Sequence, residues 1–158
     1  MSKQTTSATA TDIHQNESVA GTVARFQRLF NNLSAGNISG LEEVYNTRVH
    51  FADPFGAVDG LPELQAYFDK VYTNVKACRF RFGDVLISGN NVSIEWTMHL
   101  SHPRLRRGRE VTVQGISRLV VAEGRVSNHR DYFDAGEMLY ENLPVLGPAV
   151  RWVRKFAS

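Results

Sequence analysis

The sequence has a single cysteine and no long apolar run, and each shortage excludes a class of protein. Cys78 cannot form a disulfide within the chain, so the disulfide-stapled folds of small secreted proteins are excluded. The longest apolar stretch falls far short of the roughly 20 residues that a membrane-spanning helix needs, and the N-terminus has no apolar run typical of a signal peptide. We therefore expect a cytoplasmic protein that does not enter a membrane.

An excess of charge of one sign is also missing. The chain carries 18 basic and 16 acidic side chains, and the formal net charge of +2 is too small for a general nucleic-acid binder. The histidines show no metal-ligand spacing with one another or with Cys78, so we predict no metal and no cofactor. We expect neither nucleic acid nor a membrane among the partners.

Basic residues are nevertheless concentrated in two places. Four arginines lie in the segment 104–109, which we interpret as a solvated hairpin loop, with a phosphate or coenzyme partner as the alternative. Three more basic residues lie within the segment 144–156, where apolar spacing after a proline predicts a short C-terminal amphipathic helix. We expect this helix to pack on the domain or on a second subunit.

The apolar pattern predicts one domain in which helices precede strands. Residues 1–17 are rich in serine and threonine and poor in large apolar side chains, so we predict a disordered tail followed by a single domain over 18–158. Apolar residues in steps of three and four predict a first helix that begins at Ser18 and a third helix over 61–73. Between them we predict a short second helix, with Leu41, Val44 and Tyr45 on its inner face.

The apolar period changes to two after the third helix. This alternation predicts half-buried antiparallel strands joined by tight turns, over 80–87, 92–100, 111–122 and 125–134. An earlier short strand over 49–52 ends at Asp53 and a proline, and we predict a loop after it. The order predicts an α+β fold: a cone-shaped, curved antiparallel sheet of four to six strands, with the N-terminal helices packed over its concave face and an apolar cavity inside.

Several segments of the chain match those of a known superfamily. They are Gly36-Asn37-Ile38, Phe51-Ala52-Asp53-Pro54-Phe55-Gly56, Ala66-Tyr67-Phe68, Gly124-Arg125-Val126 and His129-Arg130-Asp131-Tyr132-Phe133-Asp134. On these segments the chain, from about residue 20 to 142, resembles the nuclear transport factor 2-like superfamily, in particular its ketosteroid isomerase-like and SnoaL-like branches. The resemblance implies the cone fold but selects no single activity, because the superfamily includes isomerases, cyclases, epoxide hydrolases and binding modules.

The ketosteroid isomerase-like branch assigns a role to one aspartate. In those enzymes the aspartate of the Asp-Pro segment is the general base, and the resemblance puts Asp53 in that position. The enzymes also hold the enolate oxygen with a tyrosine on the first helix and a neutral aspartate on a late strand. Here the first helix has no tyrosine around 26–30, and Gly115 stands at the aspartate position. Because each such donor is worth roughly 10²–10³ in rate, we expect no true ketosteroid isomerase activity.

The SnoaL-like cyclases are similar in fold and place an acid/base aspartate on a late strand. Strand alternation puts His129, Asp131 and Phe133 on one face, and the resemblance turns that face toward the cavity. We therefore predict Asp53 as the catalytic base, assisted by Asp131 and His129. The predicted ligand-binding residues are Trp96, Tyr67, Phe68, Phe133, Gly115 and Phe55. The Arg-x-Asp motif of the epoxide hydrolases does not occur, which disfavours that chemistry.

Each candidate catalytic residue also has a structural interpretation. Asp53 can cap a turn, His129 can be a hydrogen-bonded core residue, and Asp131 can pair with a neighbouring strand. The functional hypothesis is a protein that binds a small apolar ketone, polyketide-like or steroid-like, and transfers a proton as an isomerase or cyclase does. The competing hypothesis is a ligand-binding or dimerisation module without catalysis, which Gly115 favours. The resemblance also implies a homodimer through an outer strip formed by Thr97, His99, Thr112, Gln114 and Ile116.

Overall fold

A computed structural model describes residues 10–140 together with Trp152 and Lys155, and side chains over 19–138 and at those two positions. The elements in chain order are α1 (Ala10–Asn32), α2 (Leu41–Val44), β1 (Tyr45–Asp53), β2 (Gly56–Asp59), α3 (Leu61–Tyr72), β3 (Ala77–Ser88), β4 (Asn91–Ser101), β5 (Val111–Ala122) and β6 (Arg125–Phe133), followed by a π-helical turn (Gly136–Tyr140). The predicted helix over 144–156 lies outside the described residues, apart from Trp152 and Lys155, which are helical. None of the helices described is long and apolar enough to span a membrane.

The strands form one curved, six-stranded sheet in the order β2-β1-β6-β5-β4-β3. Strands β3 to β6 pair in antiparallel order as the predicted meander. Strands β1 and β6 run parallel, with Phe51 opposite His129. The predicted α+β fold is confirmed, but the prediction of a purely antiparallel sheet is wrong at this pair. The cause is that β1 joins the last strand instead of the next one in sequence, so no hairpin turn sets their relative direction.

The segment that follows β1 is a strand, although the sequence predicts a loop there. Strand β2 pairs antiparallel with β1, with Gly56 opposite Asp53 and Asp59 opposite His50. The four residues of β2 are too few to show a period of two, so the pattern gave no strand signal. This hairpin brings the end of β1 to a tight turn, and that turn positions Asp53.

The helices lie where the pattern predicts them, except that the first helix begins earlier than predicted. Helix α1 begins at Ala10 and not at Ser18, so it also includes residues 10–17. That stretch contains neither proline nor glycine, and a helix nucleated by its apolar face extends along such residues at little cost. Helix α3 has Pro62 in its first turn, as predicted, and buries Leu64 and Phe68.

Two clusters of buried apolar residues fill the space between helices and sheet. The larger cluster contains the inner face of α1, with Val23, Phe26 and Phe30, and residues of α3 and of the strands beside it. The smaller one is built on β4 and β5 and contains Trp96 and Leu105. The space between the two clusters is the cavity that the next subsection describes.

Candidate functional site

A cavity of about 520 Å³ lies between the two clusters and has mostly aromatic and aliphatic walls. This volume is typical of sites for small organic ligands. Seven of the predicted site residues line it: Asp53, Asp131, Trp96, Tyr67, Phe68, Phe133 and Phe55. His129 and Gly115 are not among the lining residues. Among the described side chains, no three of the types His, Cys, Asp and Glu are grouped as a metal site requires.

Asp53 is the last residue of β1. Its carboxylate accepts hydrogen bonds from the turn that follows and from the Tyr67 hydroxyl in the cavity wall. Its Oδ1 accepts the backbone N–H of Phe55 at 2.8 Å and that of Gly56 at 3.0 Å. Its Oδ2 accepts a short hydrogen bond from the hydroxyl of Tyr67 on α3. Burial, together with this hydrogen bond, raises the pKa of Tyr67, so the hydroxyl keeps its proton. Both oxygens of Asp53 are therefore occupied by donors of the protein.

Asp131 on β6 is the second carboxylate of the cavity, and it is held differently. Its Oδ1 accepts hydrogen bonds from the Ser117 hydroxyl at 2.5 Å and from His129 Nε2 at 2.8 Å. Its Oδ2 has no hydrogen-bond partner among the residues that the structure describes, and the side chain is 16% exposed. One oxygen is thus fixed by two hydrogen bonds, and the other is held by none of the residues that the structure describes.

His129 lies behind Asp131, completely buried among aromatic rings. Its Nδ1 is 2.8 Å from the hydroxyl of Tyr45, and the ring centroids of Phe26 and Phe51 are 5.2 and 5.0 Å away. Burial raises the pKa of Tyr45, and the charge of Asp131 adds to this, so the hydroxyl keeps its proton and donates to Nδ1. We therefore assign the proton of a neutral imidazole to Nε2, which donates to Asp131. His129 does not line the cavity itself; it contacts Asp131, which does.

Gly115 leaves room for the indole of Trp96 to cross strand β5. A Cβ atom at Gly115 would lie 2.3 Å from Trp96 Cη2 and 2.8 Å from the carbonyl oxygen of Tyr132. The indole N–H donates to Ser117 Oγ at 2.9 Å, and Ser117 in turn donates to Asp131. The structure therefore places Gly115 behind Trp96 and not on the cavity wall, and the indole fills the space that a side chain at position 115 would need.

The sequence analysis missed two residues of this hydrogen-bond network. Ser117 shares the inner face of β5 with Gly115, so alternation could have placed it near Asp131. Tyr45 gave no such signal, because the pattern assigns it to the end of a short helix, whereas it begins β1 and is buried. Its contact with His129 joins residues that are 84 positions apart in the chain.

The reactivity of the Cys78 thiol, which lies in the cavity wall, tests whether water reaches this part of the wall. Burial raises the pKa of Cys78 to about 11, although a contact with the Tyr72 hydroxyl lowers it in part. Only the thiolate reacts, so alkylation by iodoacetamide at pH 8 is expected to be about two-hundredfold slower in the folded protein than in urea, where the pKa returns to about 8.5. A rate profile in the folded protein that titrates near 8.5 would show that water reaches this wall.

Comparison with known proteins gives one family and many similar structures. The sequence profile of the SnoaL-like domain matches residues 26–129. A candidate SnoaL-like polyketide cyclase from Jannaschia sp. CCS1 is 17% identical, with a TM-score of 0.66 over 80% of this chain and 93% of that one. An LEH-like epoxide hydrolase from M. tuberculosis is 18% identical, with a TM-score of 0.65 over 89% and 98%. A protein of ketosteroid isomerase-like fold from Catenulispora acidiphila is 12% identical, with a TM-score of 0.67 over 78% and 93%. No curated protein matches significantly.

Proposed function

Because the chain belongs to the family of SnoaL-like domains, we propose that it binds a small apolar ketone, polyketide-like or steroid-like, and moves a proton on a carbon beside the carbonyl. The observation that carries this proposal is that two carboxylates, Asp53 and Asp131, enter one cavity with otherwise largely apolar walls. Apolar walls bind the body of such a ligand, and a carboxylate is the group that removes a proton from it. The similarity to a structure named as a candidate SnoaL-like polyketide cyclase supports a polyketide-like ligand.

We assign the acid/base role to Asp131. Its free Oδ2 takes the proton from the carbon, and the electron pair of the broken C–H bond moves to the carbonyl oxygen as an enolate forms. The hydrogen bonds from Ser117 and His129 hold the other oxygen, so the carboxylate keeps its orientation during the transfer. Where the ketone has a C=C bond next to that carbon, the electron pair also reaches the far end of the double bond. Return of the same proton to that far carbon re-forms the carbonyl and gives the conjugated isomer, and no other reactant is consumed.

In this proposal Tyr67 donates a hydrogen bond to the carbonyl oxygen of the ligand, and Asp53 is the residue that holds Tyr67 before the ligand binds. Both carboxylate oxygens of Asp53 already accept hydrogen bonds, which makes Asp53 a poorer base than Asp131 with its open oxygen. Tyr67 lines the cavity with a hydroxyl that keeps its proton. By turning from Asp53 to the ligand, this hydroxyl donates a hydrogen bond to the developing enolate, the function that a donor in an oxyanion hole performs.

The second candidate is binding without catalysis. It is favoured by Gly115, since the late-strand position where the isomerases carry a neutral acid is filled by the indole of Trp96. The predicted homodimer is compatible with either candidate function.

The strip predicted to join two copies lies on the outer face of the sheet, where Thr97, Gln114 and Ile116 line a shallow groove. The pairing of two copies through this strip stays a prediction.

Hydrogen exchange at the ligand tests the proposed function directly. The wild-type protein is incubated in D₂O with a panel of monocyclic, polycyclic and steroid ketones, and deuterium uptake beside the carbonyl is followed by NMR. Calorimetry on the same panel measures binding. Uptake above the buffer rate for at least one ketone that binds supports the proposal. Binding without uptake overturns catalysis in favour of the binding module, and absence of both overturns ligand binding of this class.

A further inference from the structure

We propose that the ligand of the cavity carries an anionic group, a carboxylate or a phosphate, which lies at the cavity mouth against a rim of basic residues. This inference rests on the proposed function and narrows its ligand class to an amphipathic anion. The basic rim belongs to the loop between β4 and β5. Its residues His102 and Arg104 line the cavity, and Arg106, Arg107 and Arg109 follow in the same loop.

The loop that carries the rim is part of the cavity itself. His102, Arg104 and Leu105 all line the cavity. Leu105 is buried in the smaller apolar cluster and anchors the loop there, while its neighbour Arg104 is exposed. The cationic side chain of Arg104 therefore stands at the edge of an apolar space, where the polar end of a bound molecule meets water.

The positive charge of the rim is not neutralised by the rest of the described chain. None of its four arginines forms a salt bridge with a residue that the structure describes. Glu110, the acidic residue next to the loop, lies 3.1 Å from His99 instead. The Lys76 ammonium lies beside Gly108 and adds a further positive charge. Like charges gathered without counter-charges create a positive potential, which attracts an anion.

The backbone of the loop is held in a costly conformation. Arg106, Arg107 and Gly108 have φ values of 44°, 59° and 82°. The left-handed region is unfavourable for the two arginines, because the Cβ atom crowds the following carbonyl. Such strained residues persist where the surrounding structure fixes them, and they cluster at ligand sites.

His102 adds a neutral donor to the rim. Its Nδ1 accepts the backbone N–H of Arg104 at 3.2 Å, so the proton of the neutral ring is on Nε2. Burial, and next the charge of Arg104, lower the pKa of His102, so the ring is neutral at pH 7. An Nε2–H that points away from Nδ1 can donate to an anion beside Arg104.

Matched probes that differ only in charge test the inference. Calorimetry compares 2-naphthylacetate, 2-naphthylacetamide and 2-naphthylmethyl phosphate, and the same acid and amide pair on a steroid scaffold. We expect at least one anion to bind about tenfold more tightly than its neutral partner at low salt, the size of a charge-assisted hydrogen bond. The advantage is expected to shrink in 0.5 M NaCl. Whichever anion binds more tightly identifies the group.

Variants at Arg104 and at a control arginine test whether the preference for an anion comes from the basic rim or from the charge of the protein as a whole. Arg104→Gln is expected to remove most of the anion's advantage over the amide, while Arg104→Lys keeps much of it. Arg118→Gln removes the same charge from the outer face of β5 and should have no effect. Equal affinities of acid and amide, or an advantage that survives Arg104→Gln, would overturn this inference and leave the proposed function intact. Failure of every probe to bind would also overturn this inference, and the ketone panel described above then decides the proposed function separately.

Discussion

Asp131→Asn is expected to slow deuterium uptake by a bound ketone at least a hundredfold, because general bases contribute roughly 10²–10⁴ in rate. Asparagine has nearly the same shape as aspartate, and its carbonyl oxygen can still accept from Ser117 and His129. The fold is therefore expected to persist, which thermal unfolding of the variant checks. What the variant loses is the basic oxygen that faces the cavity.

Two further asparagine variants make the Asp131 experiment decisive. Asp69→Asn removes the same charge from the exposed face of α3 and should exchange at the wild-type rate. Asp53→Asn keeps an acceptor for the turn at Phe55 and Gly56, so its loss of rate should be smaller than that of Asp131→Asn. If Asp53→Asn abolishes uptake while Asp131→Asn retains it, Asp53 is the base, as the sequence predicted, and our assignment is wrong.

Gly115→Ala is expected to destabilise the protein by about 3 kcal/mol, at the upper end of the usual cost of overpacking. The new methyl group would lie 2.3 Å from the indole of Trp96 and 2.8 Å from the carbonyl oxygen of Tyr132. The carbonyl belongs to strand β6 and cannot retreat without loss of sheet pairing, so the indole must leave its site. In a chain of this size the midpoint of thermal unfolding should fall by about 6–12 °C.

Trp96→Phe in the Gly115→Ala background tests this cause. The smaller ring makes room for the methyl group, so the double variant should be less destabilised than the sum of the two single variants. Gly56→Ala is the matched control, because a Cβ atom at Gly56 meets nothing within 4 Å. Urea unfolding measures the wild type and all four variants. A Gly115→Ala protein as stable as the wild type would show that the indole does not occupy this space.

Much of the architecture could be predicted from the sequence because it follows from local periodicity. Steps of three and four placed the inner face of α1, and alternation placed the meander from β3 to β6 with its turns. The same alternation put Asp131 and Phe133 on one face of β6, and both line the cavity. The Asp-Pro segment likewise located the end of β1, since proline restricts the residue before it.

The arrangement around Asp131 could not be predicted in the same way. Whether His129 touches a ligand or lies behind a carboxylate depends on where α1 rests on the sheet, which no pattern within β6 reveals. The role of Gly115 depends on the rotamer of Trp96 in the neighbouring strand. For Asp53 the structural and functional interpretations are compatible, since one oxygen holds the turn and the other holds Tyr67.

The parallel pairing of β1 with β6 also has a consequence for how the protein folds. Phe51 and His129 face each other across a separation of 129 − 51 = 78 residues, so a large loop must close before these strands meet. Contacts of such long range form slowly, whereas the hairpins of the meander close early. The two cavity carboxylates lie on these two strands, Asp53 on β1 and Asp131 on β6. In refolding experiments the ability to bind a ligand should therefore appear after most of the β-sheet signal has formed.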